Sequence, residues 1–276
     1  MFWSTRKTPE LGFRFENVSI HPTAEIADDV EIGPFSFIGP NCRIGAGCRL
    51  HNNVSLVANT VLGRDNEIFP NAVLGAAPQD RKYDDEDSWV VVGNGNTVRE
   101  CVTIHGGTAQ GGHITRVGHR NLLMACCHVA HDCLVEDDTT IANGVLLGGH
   151  VHVGRRANLG GLAAVHHFVT IGEYAFVAGM ARVHRDVPPF MLWQDDSVKT
   201  VNKVGLRRHG ICETSLEALK TACKELYRDR NPWRETLRSL EERYPACREI
   251  AVLADAHRRM ERGHQGRALQ PYNVSL

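Results

Sequence analysis

The stretch IGPFSFIGPNCRIGAGCRL, residues 32–50, places an aliphatic side chain at every sixth position: Ile32, Ile38, Ile44 and Leu50. A period of six is neither the 3.6 of an α-helix nor the 2 of an alternating strand. Outward from this stretch the series holds. Toward the N-terminus it takes in Ile26 and Ile20; toward the C-terminus it takes in Leu56, Leu62, Ile68 and Leu74. It breaks after Gly75 and returns at Val92, Val98 and Ile104. After a second break it runs through Val117, Leu123, Val129, Val135, Ile141, Leu147, Val153, Leu159, Val165, Ile171, Val177 and Val183. A hexad repeat predicts a parallel β-helix, with three short strands per coil and one aliphatic residue per face pointing into the core.

Two segments interrupt the series. Residues 76–91, AAPQDRKYDDEDSWVV, keep the count of six but lack aliphatic residues at positions 80 and 86; residues 106–116, GGTAQGGHITR, shift the phase by one. Loops that interrupt a rigid scaffold commonly carry function, and a tolerated insertion is the alternative. The β-helix is expected to span 17–188 and to stop at Arg185–Pro189, because two prolines cannot continue a ladder. A helical domain is expected over 189–263. Thr214 and Glu217 suggest a capping box, Asn231-Pro232 a second helix start, and Pro245 to Arg262 a third helix ending at Gly263. Residues 1–16 and 264–276 read as tails.

Composition excludes several classes. The 276 residues carry a net charge of −1, which gives no overall basic footprint for nucleic acid. No apolar run approaches the roughly 18 residues of a membrane span. The opening MFWSTRKTPELGFRF lacks the apolar core of a signal peptide, so a cytoplasmic location is the expectation. Nine scattered Cys with no CxxC pair suggest reduced thiols used as small apolar fillers. Charge is uneven. Residues 199–262 hold fifteen Lys and Arg against ten Asp and Glu, a surplus that suits either a solvated helical face or docking of an acidic partner.

The chemistry-bearing residues cluster in HVAHDC, residues 128–133. With eighteen residues per coil and about 4.8 Å between strands, His131 stacks under Gly149 and Gly149 under His167. His150 and His166 flank that column, and His128 precedes an inward Val129 and so points outward. Histidines in successive coils can serve acid–base chemistry, with Asp132 orienting an imidazole. They can also hold a metal. The carbonic anhydrases built on such a coil use two His five residues apart, a spacing absent here.

The ordered segments IHPTAEI, LGRDNEI, QDRKY, VRECVTIHGGT, NLLMACCHVAHDC, GGHVHV, AAVHHF, DVPPF and GLRRHG closely resemble the UDP-N-acetylglucosamine O-acyltransferases of lipid A biosynthesis, over about residues 17–260. The resemblance implies a left-handed β-helix, a homotrimer with sites between subunits, and no metal or other cofactor. It implies transfer of a hydroxyacyl chain from acyl carrier protein to the sugar 3-hydroxyl. Carried over, His131 matches the general base, Asp132 its partner and the Gly149 N–H an oxyanion donor. Gln79, Asp80, Lys82 and Tyr83 match positions around sugar nucleotide and acyl chain. His128, His150 and His166 match pocket histidines, and Asn202 and Arg208 match residues that hold the nucleotide. Gly179 matches a limit on acyl length. The sequence departs from the family at His167, where the pattern has Gln, and at Gly106 and His209, where it has Arg. Alternatives are a related transferase on another nucleotide sugar, an amino sugar among them, a carbonic-anhydrase-like metalloenzyme, and a non-catalytic scaffold.

Overall fold

In the computed structural model, which describes residues 17–229 and 231–270, two- to four-residue strands wind into a left-handed parallel β-helix with three faces. The first face stacks nine strands, from Ser19–Ile20 to Arg182–Val183. The second stacks eight, from Glu25–Ile26 to Thr170–Ile171, and the third has ten. The hexad aliphatics form the ladders. On the first face Ile38 pairs with Leu56, Leu74 with Ile104, Ile104 with Val129, and Val129 with Leu147. Their side chains are almost all fully buried, each stacked on the one below; Ile20, at the open end, stays exposed. The expected N-terminal tail, 1–16, lies outside the described residues.

Register explains both interruptions. Leu62 pairs with Val92, a coil lengthened by two whole hexads, so the phase survives the first loop. Val92 pairs with Val117, a coil lengthened by seven residues, so the phase slips by one at the second. Between two-residue strands the chain turns through left-handed conformations. Asn and Asp, which tolerate that region best, often occupy these positions, as at Asn41, Asn53, Asp65, Asn71 and Asp132.

Past the coil, four expectations need correction. The ladder does not stop at the prolines. Val187 still bridges Ile171, Pro188 and Pro189 fall in a turn where no donor is needed, and Met191–Gln194 returns to pair with Phe176–Val177. Ser197–Val201 then adds the one antiparallel strand of the third face, so these residues are sheet, not helix. Helix starts also differ. After a short helix that the periodicity does not reveal, α1 (Lys203–Arg208), α2 spans Glu213–Cys223 with Cys212 as its cap, which leaves Thr214 inside the helix. Next, α3 (Trp233–Arg243) is capped at Pro232, and α4 (Arg248–Arg262) starts after the Pro245 turn. Gly263 ends α4 with φ −95°, outside the left-handed region. Lastly, residues 264–270 are no loose tail. Arg267 and Gln270 are buried, Arg267 donates to the His184 carbonyl at 2.7 Å, and Ala268 N–H donates to Asp186 at 2.8 Å. Residues 271–276 lie outside the described set. The helices share an apolar cluster (Leu216, Leu219, Leu240, Leu253) with Tyr174, Phe190 and Val201, which fixes them to the end of the coil. No helix among the described residues is long and apolar enough to cross a membrane.

Candidate active site

The corner between the first and second faces carries the histidine column. His131 and Asp132 follow the strand His128–Val129, with Asp132 at φ 62°. That conformation turns the Asp132 side chain beside its neighbour, and His131 Nδ1 donates to Asp132 Oδ2 at 2.7 Å. The carboxylate also accepts from Thr108, from its N–H at 2.7 Å on Oδ1 and its hydroxyl at 2.7 Å on Oδ2. Its side chain is 1% exposed. Burial alone raises its pKa; the donors from His131 and Thr108 outweigh burial and hold it below the usual carboxylate range. His150 Nε2 lies 3.5 Å from the same oxygen, and its ring meets His131 edge-on at 5.2 Å and stacks on Phe168 at 4.4 Å.

Gly149 is placed as the coil arithmetic requires. A methyl on it would fall 2.4 Å from His131 Cε1 and 2.6 Å from Nε2, so the imidazole occupies the space that any larger residue would take. Gly149 is buried, and its N–H makes no hydrogen bond to the described residues. The reason is the repeat itself. Gly149 holds the turn position occupied by Pro34, Pro40 and Pro70 in other coils, where the ladder uses no N–H. Gly149 lies directly against the His131 imidazole.

Around this pair burial lowers the pKa of His128, His150 and His167, disfavouring their protonated forms. His128 is half-buried, shares a hydrogen bond with the Thr103 hydroxyl at 2.7 Å, and is lowered by burial and by His131. His150 is lowered mainly by burial, against the pull of Asp132. His167 is lowered to about 4, by burial and then by His166, whose ring centroid is 3.7 Å away; its Nε2 is buried without a partner. In the first loop Gln79 and Lys82 are exposed and Asp80 and Tyr83 half-buried. The charges of Asp80 and Lys82 both act on His150, so the loop reaches this corner. Tyr83 Oη donates to the Glu86 carbonyl at 3.2 Å.

Asn202 and Arg208 are elsewhere. They line a cavity of about 500 Å³ against the third face, with Arg156, Asn158, Tyr174, Phe176, Leu192, Lys203 and His209. Asn202 caps α1, accepting from Gly205 N–H at 3.1 Å and donating to the Tyr174 carbonyl at 2.9 Å. Arg208 is exposed at the end of that helix. The third face lies opposite the His131 corner, so one chain does not bring these residues to the dyad. Gly179 is exposed at the remaining corner, between third and first faces, beside Met180.

Sequence reasoning missed His105, Thr108 and Thr115. His105 is buried and meets His128 edge-on at 4.8 Å; burial, then His128 and His131, lower it to about 4. Thr115 Oγ1 accepts the Asp132 N–H at 2.8 Å. Stacking by eighteen fails across a coil lengthened by seven, so only the register reveals His105 and Thr108; Thr115 sits one residue off an ordinary eighteen-residue step from Asp132. His131, Asp132 and His150 have possible metal-ligand atoms within 4.8 Å of one another. The Asp132 oxygens, however, already receive Thr108 and His131, an arrangement suited to holding a proton donor.

A left-handed β-helix of hexapeptide repeats followed by a small helical portion is the architecture of the hexapeptide-repeat acyltransferases. The chain is 42% identical over 241 residues, 87% of its length and 91% of its relative's, to the acyl-acyl-carrier-protein–UDP-N-acetylglucosamine O-acyltransferase of Halorhodospira halophila. It belongs to the UDP-N-acetylglucosamine O-acyltransferase family. The Synechocystis enzyme of the same description is 46% identical over 183 residues, 66% of each chain. The solved UDP-N-acetylglucosamine acyltransferase of Bacteroides fragilis superposes with a TM-score of 0.87 at 33% identity, covering 89% of this chain and 97% of that one. The family model for domain 2 of UDP-N-acetylglucosamine O-acyltransferase matches residues 186–265, and one for the GMPPB C-terminal domain matches 14–110.

Proposed function

We infer that the protein moves a hydroxyacyl chain from acyl carrier protein to the 3-hydroxyl of UDP-N-acetylglucosamine, the first step of lipid A biosynthesis, in the cytoplasm. The observation that carries the reading is the His131–Asp132 pair lying against the unpartnered Gly149 N–H, in a chain of this family. A sugar hydroxyl attacks a thioester poorly while it keeps its proton. His131 Nε2, the nitrogen left free by Asp132, takes that proton as the new C–O bond forms, and Asp132 steadies the imidazolium. The oxygen of the tetrahedral intermediate takes its hydrogen bond from Gly149 N–H. Collapse breaks the C–S bond, and the proton passes from His131 to the departing thiolate. His128, His150, His166 and His167 line the pocket, and burial favours the neutral form of His128, His150 and His167. Gln79, Asp80, Lys82 and Tyr83 close it from the first loop.

Arg208 offers a guanidinium fork to the nucleotide diphosphate, at the cavity whose floor Asn202 builds. Because that cavity faces away from the dyad of its own chain, the complete site needs a second copy, and a homotrimer supplies one. Leu146, Leu162 and Met180, 52%, 64% and 77% exposed on and beside the first face, give a neighbouring subunit and an acyl chain apolar surface to cover. Gly179, beside Met180, is set to limit acyl length. The basic helices dock the acidic carrier protein.

The test is incubation with UDP-N-acetylglucosamine and hydroxyacyl carrier proteins of several chain lengths, with the product read by mass spectrometry. An O-acylated sugar nucleotide is expected, made by a particle of three chains. Product only with an amino sugar, or full activity in a monomer, contradicts the reading.

A further inference from the structure

The second inserted loop does more than interrupt the coil. Beginning at Gly106, it enters a short 3₁₀ turn, Ala109–Gly111, capped by an extended Thr108. The first loop holds it from outside. Glu86 accepts the Ala109 N–H at 3.1 Å, the Asp87 carbonyl accepts from His113 Nδ1 at 2.7 Å, and Trp89 N–H donates to the His113 carbonyl at 2.8 Å. Thr108 N–H donates to no carbonyl in this clasp. It is 4% exposed, and both its donors go to Asp132. Gly111 passes so close that a methyl there would lie 2.0 Å from the Asp132 carboxyl carbon.

These contacts fix one torsion. A carboxylate turns about its last bond with little preference of its own. Thr108 grips both oxygens, N–H on Oδ1 and hydroxyl on Oδ2, and so sets the carboxylate plane. The same Oδ2 then has its remaining lone pair directed at His131 Nδ1. We propose that Thr108 is a positioning residue for the transfer reaction: it clamps Asp132 so that His131 presents Nε2 to the sugar hydroxyl. The proposal rests on His131 being the base. It also gives the two loops a shared purpose, since the first loop holds the second in place and the second delivers the clamp.

Thr108→Val removes the hydroxyl and keeps both the shape and the N–H. A hydrogen bond to a charged group is worth roughly ten- to a hundredfold, so kcat is expected to fall by that factor. The KM of each substrate should stay within about threefold, because no substrate contact is lost. Thr108→Ser should restore kcat to within about threefold of wild type, since the donor returns. In an Asp132→Asn background, Thr108→Val should cost nothing further, because residues that act as a unit are not additive. With one donor fewer the Asp132 charge is less satisfied and holds the imidazolium more tightly. The acidic limb of the kcat/KM profile should therefore move to higher pH, a change that a purely structural role would not produce.

Should Thr108→Val fail to fold, Gly111→Ala tests the same point by pushing a methyl against the carboxylate, with the same split between kcat and KM expected. Either variant keeping more than half of wild-type kcat overturns the clamp. Activity retained in His131→Ala would instead remove the base assignment on which it stands, and His131→Ala measured in parallel separates the two failures.

Discussion

Gly149→Ala adds one methyl at the most crowded point of the column. That carbon would start 2.4 Å from His131 Cε1 and 2.6 Å from Nε2, whereas carbon atoms rest at about 3.5–4.0 Å. The imidazole must therefore move by about 1 Å or more, because the backbone on the other side is locked into the ladder on both neighbouring coils. Alanine is tolerated by the local backbone, which is not left-handed here, so the fold has no reason to fail. The N–H of residue 149 survives, so the proposed oxyanion donor is retained and the loss isolates the placement of the proposed base, His131. A misplacement of about 1 Å costs roughly a hundredfold in rate. Turnover with UDP-N-acetylglucosamine and acyl carrier protein at saturation should fall by about that factor, with the thermal midpoint changed by no more than a few degrees. A Gly149→Ala protein turning over at more than half of the wild-type rate would refute the packing argument.

Three further outcomes follow from other parts of the molecule. Arg208→Ala should raise KM for the sugar nucleotide by roughly ten- to a hundredfold and leave kcat closer to wild type, since a charge-assisted bond to a diphosphate acts on ground and transition states alike; steady-state kinetics would read the split. Raising salt from low to physiological concentration should raise KM for the acyl carrier protein, because exposed charges are screened; no salt effect on that KM would remove the docking role of the basic helices. Buried His105 and half-buried His167 and His257 are each lowered to about 4, by burial first, so folding favours their neutral forms. Their contribution to stability is therefore complete above about pH 6.5, the unfolded value, and is lost as pH falls through about 4. Thermal midpoints measured across that window should drop with a slope of more than one proton, and His257→Gln should flatten part of it.

The scaffold was legible because a β-helix core repeats. One inward residue per hexad writes the fold into the spacing of Ile, Leu and Val, and the two gaps even recorded, by phase, how many residues each loop inserts. Stacking arithmetic also brought His131 to Gly149 correctly, because both lie in coils of ordinary length. Where the coil is lengthened the arithmetic lost its register, and His105 and Thr108 went unseen; Thr115 is within one residue of an ordinary step from Asp132 and was overlooked because a threonine hydroxyl carries no titratable proton. Beyond Val183 the repeat no longer decides the structure. Pro188 and Pro189 read as a stop, yet they occupy a turn and the third face resumes at Met191. Thr214 looked like a cap because residue type alone does not say which of several polar residues starts a helix. The segment 264–270 looked loose because its anchor, Asp186, lies some eighty residues earlier. Asn202 and Arg208, proposed to hold the nucleotide, were placed by resemblance, and what one chain shows of them is a cavity on the far side from the dyad.

The account stands most directly on His131 as the base. The decisive measurement is kcat of His131→Ala at saturating acyl carrier protein and sugar nucleotide, with nucleotide affinity and particle mass determined on the same preparation. A loss of roughly 10²–10⁴ is predicted, with affinity and mass unchanged, and the acidic limb of the pH–rate profile should disappear. Turnover at about a tenth of wild type or more, in a protein of unaltered mass, would contradict it and place the base elsewhere, with His150 the next group to test.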